Sequence, residues 1–149
     1  MATKDTPVNP MLQLDNQLCF ALYSTSLAMT KLYKPLLEEL NLTYPQYLAM
    51  LVLWERDGLM VSELGDRLYL DSGTLTPLLK RMEANGFISR VRDVADERRV
   101  HVRLTAAGRK LKVAAGRIPG CIAEAAQCSI PELIALTQQI QTLRGRLTG

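Results

Sequence analysis

The order of periodic segments between residues 43 and 105 constrains the fold of this chain more than any other feature. The stretch Thr43-Tyr44-Pro45-Gln46 has the pattern of a capping box with an early proline, which predicts the start of a helix. A short helix is expected over 61–68, and Asp71 or Ser72 is suited to cap a further helix. This region therefore predicts three helices, of which the second is short.

An alternating hairpin pattern follows the third of these helices. A strand is predicted over 87–92, and a polar turn over 93–98 separates it from a return strand over 100–104, where apolar and charged side chains alternate. Three helices followed by a hairpin are typical of a winged helix-turn-helix. The expected fold class is therefore mainly α with a small β-hairpin, with the winged helix-turn-helix over 43–105.

Helical patterns rich in apolar residues flank this region at 11–40 and 110–149. Pro35 is expected to kink or divide the first pattern, and Pro119-Gly120 is expected to interrupt the second. The length of 149 residues suits a single domain. We therefore expect one domain over 1–149, in which both flanking segments serve as dimerisation helices.

The last helix, which Ser129 is expected to open, carries an apolar seam. Its members follow one another in alternating steps of three and four residues: Leu133, Leu136, Ile140, Leu143 and Leu147. Such a seam needs a partner helix to cover it. The partner is either a second copy of the chain, which we favour, or the chain's own first helix.

The charge of the chain is unevenly distributed. Residues 80–117 contain 11 Lys and Arg against 4 Asp and Glu, although the net charge of the whole chain is only +3. A basic segment on an otherwise acidic chain is expected of a nucleic-acid contact, while a solvated helix face is the alternative interpretation.

Other classes of protein find little support in the sequence. No apolar run approaches the roughly 20 residues that a membrane span needs, so we expect a cytoplasmic protein without membrane contact. The three cysteines are widely spaced and form no CxxC pair, and His101 is the only histidine. We therefore expect no metal site, no cofactor and no enzymatic activity.

The expected DNA-reading residues lie on the third helix and on the hairpin. The helix begins with small polar side chains that allow close approach to bases or phosphates, and basic side chains follow: Ser72, Thr74, Thr76, Lys80 and Arg81. The hairpin turn offers Arg98 and Arg99 to phosphates or to a minor groove. Each residue alone is compatible with an ordinary surface position, and only their order indicates double-stranded DNA as a partner.

Two motifs resemble those of the MarR family of dimeric winged-helix regulators. They are Asp96-Glu97-Arg98-Arg99 in the turn and Leu104-Thr105-Ala106-Ala107-Gly108 after it. The segments 14–23 and 42–47 are similar to the branch of that family formed by the organic hydroperoxide resistance regulators. The resemblance implies a repressor, an obligate homodimer, a pseudo-palindromic operator and a cysteine, Cys19, that reacts with organic hydroperoxides.

The resemblance also implies that Tyr33 and Tyr44 donate hydrogen bonds to the Cys19 thiolate, which is the reactive form of a thiol. Tyr33 is 14 residues beyond Cys19, roughly 21 Å along one helix. The two cannot meet within one helix, so the resemblance implies that the tyrosines belong to the other subunit. A buried structural cysteine is the alternative for Cys19 considered alone.

Two further cysteines make the chain resemble the two-cysteine branch, in which a thiol of the other subunit resolves the oxidised cysteine. The family pattern places this thiol near Glu124, and neither Cys121 nor Cys128 matches that position. We favour Cys121 because it follows Pro119-Gly120, and Cys128 stays as the alternative.

Three functions compete at this point. The first is a peroxide-sensing repressor, and the second is a MarR-type regulator that binds a small lipophilic or phenolic ligand without thiol chemistry. The third is a thiol peroxidase. The combination of Cys19, Tyr33 and Tyr44 argues against the second function, and the recognition helix with its hairpin argues against the third.

Overall fold

The computed structural model describes residues 9–149. The described chain forms seven α-helices and three β-strands: α1 (Leu18–Glu38), α2 (Tyr44–Glu55), β1 (Leu59–Met60), α3 (Val61–Leu68), α4 (Ser72–Ala84), β2 (Ile88–Arg92), β3 (Val100–Leu104), α5 (Ala106–Ala115), α6 (Ile118–Ala126) and α7 (Ile130–Thr148). This arrangement confirms the predicted fold class, a mainly helical protein with a winged helix-turn-helix.

The three strands form an antiparallel sheet in the order β1-β3-β2. In the hairpin, Ile88 pairs with Leu104 and Arg92 pairs with Val100. The strand β1 was not expected from the sequence, because its two residues are too few to display alternation. Leu59 pairs with Val102, which makes β3 the central strand and joins the hairpin to the helical part.

The buried apolar side chains of the described residues form one core, to which the helices α1 to α6 and the sheet all contribute. Leu64, Leu75 and Met82 are fully buried, and Val102 from the central strand packs in the same cluster. The core is almost entirely aliphatic, so the helices that carry the DNA-reading candidates are fixed by close packing of branched side chains.

Helix caps determine where the main helices begin. Thr43 Oγ1 accepts a hydrogen bond from Gln46 N at 3.4 Å, and Gln46 Oε1 accepts one from Thr43 N at 3.0 Å, as the capping-box pattern predicts. Asp71 Oδ1 accepts a hydrogen bond from Thr74 N at 2.7 Å and caps α4. Ser129 and Glu132 form a second capping box at the start of α7.

The structure corrects the expected boundaries of the flanking segments. The expected helix over 11–40 begins only at Leu18, because two 3₁₀ turns precede it. Residues 1–8 lie outside the described part of the chain. Pro35 lies inside α1 and does not divide it. Pro119-Gly120 falls in the first turn of α6, where a missing N–H costs little, and the break lies at Gly116 and Arg117 instead.

The flanking helices leave apolar side chains exposed. No residue of α7 is buried, and the seam side chains Leu136, Ile140 and Leu147 are 52%, 39% and 78% exposed. Exposed apolar residues also follow one another along α1, Phe20 and Leu27 among them. Within residues 9–149, no helix has the length and hydrophobicity that a membrane crossing requires.

Candidate DNA interface and thiol site

A groove of about 530 Å³ separates the N-terminal half of α4 from the hairpin. Ser72 and Thr76 line its helical side, and Arg98 and Arg99 line the opposite side. The structure thus brings together residues of two elements that the sequence predicted separately. Thr74, Lys80 and Arg81 are exposed on α4 and do not line this groove.

The two arginines of the hairpin turn extend into solvent. The side chain of Arg98 is 92% exposed and that of Arg99 is 60% exposed. Both approach the carboxylate of Asp96, at 3.3 Å for Arg98 Nε and 3.9 Å for Arg99 Nε. Ion pairs this exposed contribute little to stability, so both guanidinium groups are available to a phosphate.

Arg90 of β2 is a residue of this groove that the sequence reasoning missed. The carboxylate of Glu83, near the end of α4, accepts hydrogen bonds from Arg90 N at 2.9 Å and from Arg90 Nη2 at 3.2 Å. These bonds lower the pKa of Glu83. Arg90 Nε is buried without a hydrogen-bond partner among the described residues. The pairing could have been predicted from the sequence, because Glu83 and Arg90 are of opposite charge and lie on either side of the Asn85-Gly86 turn.

His101 anchors the hairpin to the helical part. Its Nε2 lies 3.1 Å from Asp93 Oδ2, and its Nδ1 lies 3.2 Å from the carbonyl oxygen of Gly58. Both ring nitrogens therefore face hydrogen-bond acceptors. Only the protonated imidazole carries an N–H on both nitrogens and can donate to both acceptors at once. The hydrogen bond to Asp93 and then that to Gly58 raise the pKa of His101.

Cys19 is exposed in the first turn of α1. Since α1 is continuous from Leu18 to Glu38, Tyr33 of the same chain lies roughly 21 Å from Cys19 along the helix. The structure therefore does not bring Cys19 together with Tyr33 or Tyr44 within one subunit. The separation of 14 residues nevertheless places Cys19 and Tyr33 within about 40° of each other around the helix.

Tyr33 and Tyr44 do meet. Their ring centroids are 5.0 Å apart, and the ring of Tyr47, a core residue of α2, lies 5.8 Å from that of Tyr33. Burial and the neighbouring phenols raise the pKa of Tyr33 to about 12, and burial raises the pKa of Tyr44. Both hydroxyls therefore stay protonated at neutral pH and are available as hydrogen-bond donors.

The two tyrosines border a cavity of about 220 Å³, which we call the tyrosine cavity. Most of its other lining residues belong to one side of α1, and one belongs to α7: Leu22, Thr25, Ser26, Met29, Thr30 and Ile140. The arrangement offers two phenolic donors beside an apolar wall. Such a cavity suits an apolar molecule that carries one polar oxygen group.

The other two cysteines lie near the α6–α7 connection. Cys121 is on α6 and half-buried, and Cys128 is half-buried after the end of that helix, with Sγ 3.4 Å from the carbonyl oxygen of Ala126. Because the break before α6 lies ahead of Pro119-Gly120, the expected hinge next to Cys121 is absent. The choice between the two cysteines stays a prediction.

A family model described as transcriptional regulator SarA/Rot matches residues 31–114 of the chain. Among curated proteins, the organic hydroperoxide resistance transcriptional regulator of Bacillus subtilis strain 168 is 54% identical over 132 residues. The match covers 89% of this chain and 90% of that protein. All the DNA-reading candidates, from Ser72 to Arg99, lie inside the family match.

Solved structures of AbfR, a protein of Staphylococcus epidermidis, have the same fold. Reduced AbfR bound to DNA matches with a TM-score of 0.75 and 31% identity, over 95% of this chain and 100% of that one. Disulfide-formed AbfR matches with a TM-score of 0.63 and 35% identity, over 87% of this chain and 91% of that one.

Proposed function

Because this chain belongs to the MarR-type winged-helix transcriptional regulators, in the branch of the organic hydroperoxide resistance regulators, we propose that it is a homodimeric repressor that senses organic hydroperoxides through Cys19. Oxidation of Cys19 releases the protein from its operator. The observation that carries this proposal is the tyrosine cavity, in which Tyr33 and Tyr44 lie side by side in an apolar wall, together with an exposed cysteine on the same helix.

DNA binding is assigned to α4 and the hairpin. The N-terminus of α4 offers Ser72 and Thr74 to the major groove, with Thr76 behind them, since a major groove admits one α-helix. Lys80 and Arg81 are placed for phosphates, and Arg98 and Arg99 reach phosphates or the neighbouring minor groove. A dimer presents two such helices, which accounts for a pseudo-palindromic operator.

The pairing of two α1 helices explains how Cys19 meets the tyrosines. Cys19, Leu22, Ser26, Met29 and Tyr33 form a seam with alternating steps of three and four residues, and all but Cys19 line the tyrosine cavity. Ser26 is the midpoint of this seam. If two helices cross there about a two-fold axis, Cys19 of one and Tyr33 of the other lie at equal distances, about 10.5 Å, from the crossing.

The exposed apolar surface supports the same assembly. The seam of α7 leaves Leu136, Ile140 and Leu147 in solvent, and Phe20 and Leu27 of α1 are also exposed. Exposed apolar side chains in series are characteristic of association surfaces. Helices α1 and α7 are therefore assigned to the dimer interface.

The chemistry of sensing is a thiol oxidation. The Cys19 thiolate attacks the terminal oxygen of the hydroperoxide, the O–O bond breaks, and the leaving alkoxide takes up a proton to become an alcohol. The hydroxyls of Tyr33 and Tyr44 of the partner subunit hold the thiolate by hydrogen bonds. The resulting sulfenic acid then reacts with a thiol of the partner subunit, for which we favour Cys121, to give a disulfide and water.

The test compares operator binding before and after addition of one equivalent of cumene hydroperoxide. The wild type is expected to lose binding, whereas Cys19→Ser binds in both conditions. The variants Tyr33→Phe and Tyr44→Phe bind DNA normally when reduced and are oxidised more slowly. An unchanged rate of oxidation in both variants contradicts the role of the tyrosines.

The partner thiol is identified on a non-reducing gel followed by peptide mapping. We expect a covalent dimer that joins Cys19 to Cys121 and is absent in Cys121→Ser. A dimer that persists in Cys121→Ser and disappears in Cys128→Ser assigns the role to Cys128. Release of DNA by a phenolic ligand, without any change in the thiols, favours the alternative of a regulator without thiol chemistry.

A further inference from the structure

Tyr69 ends α3 in a backbone conformation that is unusual for a tyrosine. Its φ of 57° and ψ of 36° are left-handed, a conformation that glycine or asparagine usually adopts after a helix. Burial does not account for the ring at this position, because Tyr69 is 63% exposed. The ring lies against Arg144 of α7, whose Cζ atom is 4.6 Å from the ring centroid. This distance is that of a cation–π contact, which here joins two distant segments of the chain.

The turn that carries Tyr69 is firmly attached to α4. Leu68 and Leu70, on either side of it, pack against the core. Leu70 N donates a hydrogen bond to the carbonyl oxygen of Gly65 at 3.0 Å, and Asp71, the next residue, caps α4. A displacement of Tyr69 is therefore transmitted to α4, the helix that carries most of the DNA-reading candidates.

The other side of the contact belongs to the flanking helices. Ile140 lies four residues before Arg144 on α7, and residues with this spacing share one face of a helix. Ile140 lines the tyrosine cavity, whose wall is formed mostly by α1. One face of α7 therefore meets α1 through Ile140 and the turn before α4 through Arg144.

We propose that Arg144 and Tyr69 are positioning residues that hold α4 at a fixed distance from the two-fold axis of the dimer and so determine which half-site spacing the protein accepts. The inference rests on the homodimer of the proposed function, in which α1 and α7 form the interface. A dimer contains two such contacts, one for each half-site. One base pair inserted between the half-sites moves their centres apart by about 3.4 Å, which strains or breaks both contacts.

The experiment first selects binding sites from a random duplex library with the reduced wild type. Affinities are then measured for the selected site and for the same site with one base pair inserted or removed at its centre. The variants Arg144→Gln and Tyr69→Asn lack the contact, and asparagine tolerates the left-handed conformation of the turn. In both variants we expect the preference for the selected spacing to be about 5-fold smaller, because a mis-spaced duplex no longer breaks two exposed cation–π contacts.

Three single variants and one double variant serve as controls. Tyr69→Phe and Arg144→Lys keep a ring and a cation, and both are expected to keep the preference. Arg146→Gln removes the same charge from α7 at a position about 200° further round the helix, and it is expected to keep the preference as well. The double variant Tyr69→Asn, Arg144→Gln should discriminate between spacings as much as either single variant, since the two residues act through one contact.

A merely structural role of the pair predicts equal losses of affinity for all spacings, and that result overturns the inference. A preference that survives in Arg144→Gln and Tyr69→Asn overturns it as well.

Sedimentation of the reduced protein separates this inference from the proposed function. A dimeric wild type without any preference among spacings refutes the inference alone, whereas a monomeric wild type refutes the homodimer and the inference with it. Failure of cumene hydroperoxide to release DNA contradicts the proposed sensing and leaves the positioning role intact, because only reduced protein enters the spacing measurement.

Discussion

Replacing Gly108 by alanine tests how the hairpin is attached to the flanking helices. Gly108 is buried in the first turn of α5, and a Cβ atom at this position would lie 2.1 Å from the carbonyl oxygen of Phe87. Ordinary van der Waals contact begins at 3.4 Å, so the two groups must separate by more than an ångström. The obstacle is backbone and cannot be relieved by rotation of a side chain.

The separation disturbs hydrogen bonds on both sides of the contact. The carbonyl of Phe87 accepts a hydrogen bond from Thr105 N at 3.1 Å, and the carbonyl of Gly108 accepts one from Trp54 Nε1 at 3.0 Å. Overpacking costs about 1–3 kcal/mol, and a lost hydrogen bond about 1 kcal/mol more. We expect Gly108→Ala to lower the free energy of unfolding by about 3 kcal/mol and the melting temperature by about 10 °C.

The measurement is urea and thermal unfolding at one fixed protein concentration, because the proposed dimerisation would contribute to the measured stability. Gly120→Ala is the matched control: nothing lies within 4 Å of its Cβ position, and it is inside α6. Removal of a helical glycine at such a position is expected to stabilise the protein by up to about 1 kcal/mol. If both variants are equally stable, the expected clash between a Cβ atom at position 108 and the carbonyl oxygen of Phe87 is refuted.

Three further predictions concern the hairpin and the dimer. Arg98→Ala is expected to weaken binding to all duplexes and to reduce the salt slope by about 1 if one phosphate contact is lost, and an unchanged slope across a salt series removes Arg98 from the interface. The contribution of the His101–Asp93 pair to stability is fully present below the usual pKa of His101, near 6.5, and declines as pH rises through the raised value. The stability difference between wild type and His101→Gln should therefore shrink from pH 6 to pH 8 (roughly the titration range of histidine), and a constant difference contradicts the anchor. Leu136→Asp with Leu143→Asp should give monomers or insoluble protein in sedimentation, whereas a soluble dimer of normal stability refutes the role of the α7 seam.

Much of the local structure was predictable because it depends on neighbouring residues. The capping box at Thr43 is satisfied by Gln46 three residues later, and the strand over 100–104 is encoded by alternation. The start of α1 was mispredicted because apolar spacing before Leu18 continues through two 3₁₀ turns. Proline in the first turn of α6 was read as a break, although that position tolerates proline.

Periodicity, caps and composition are properties of residues near one another in the chain, so they predict the order of the helices, the hairpin, the basic segment and the family motifs. Contacts between groups that are distant in the chain follow from the fold alone. The pairing of Glu83 with Arg90, the contact of His101 with Gly58, and the approach of Tyr33 to Tyr44 depend on how packed elements are oriented. Packing of the core fixes these orientations, and it depends on the shapes of many side chains at once.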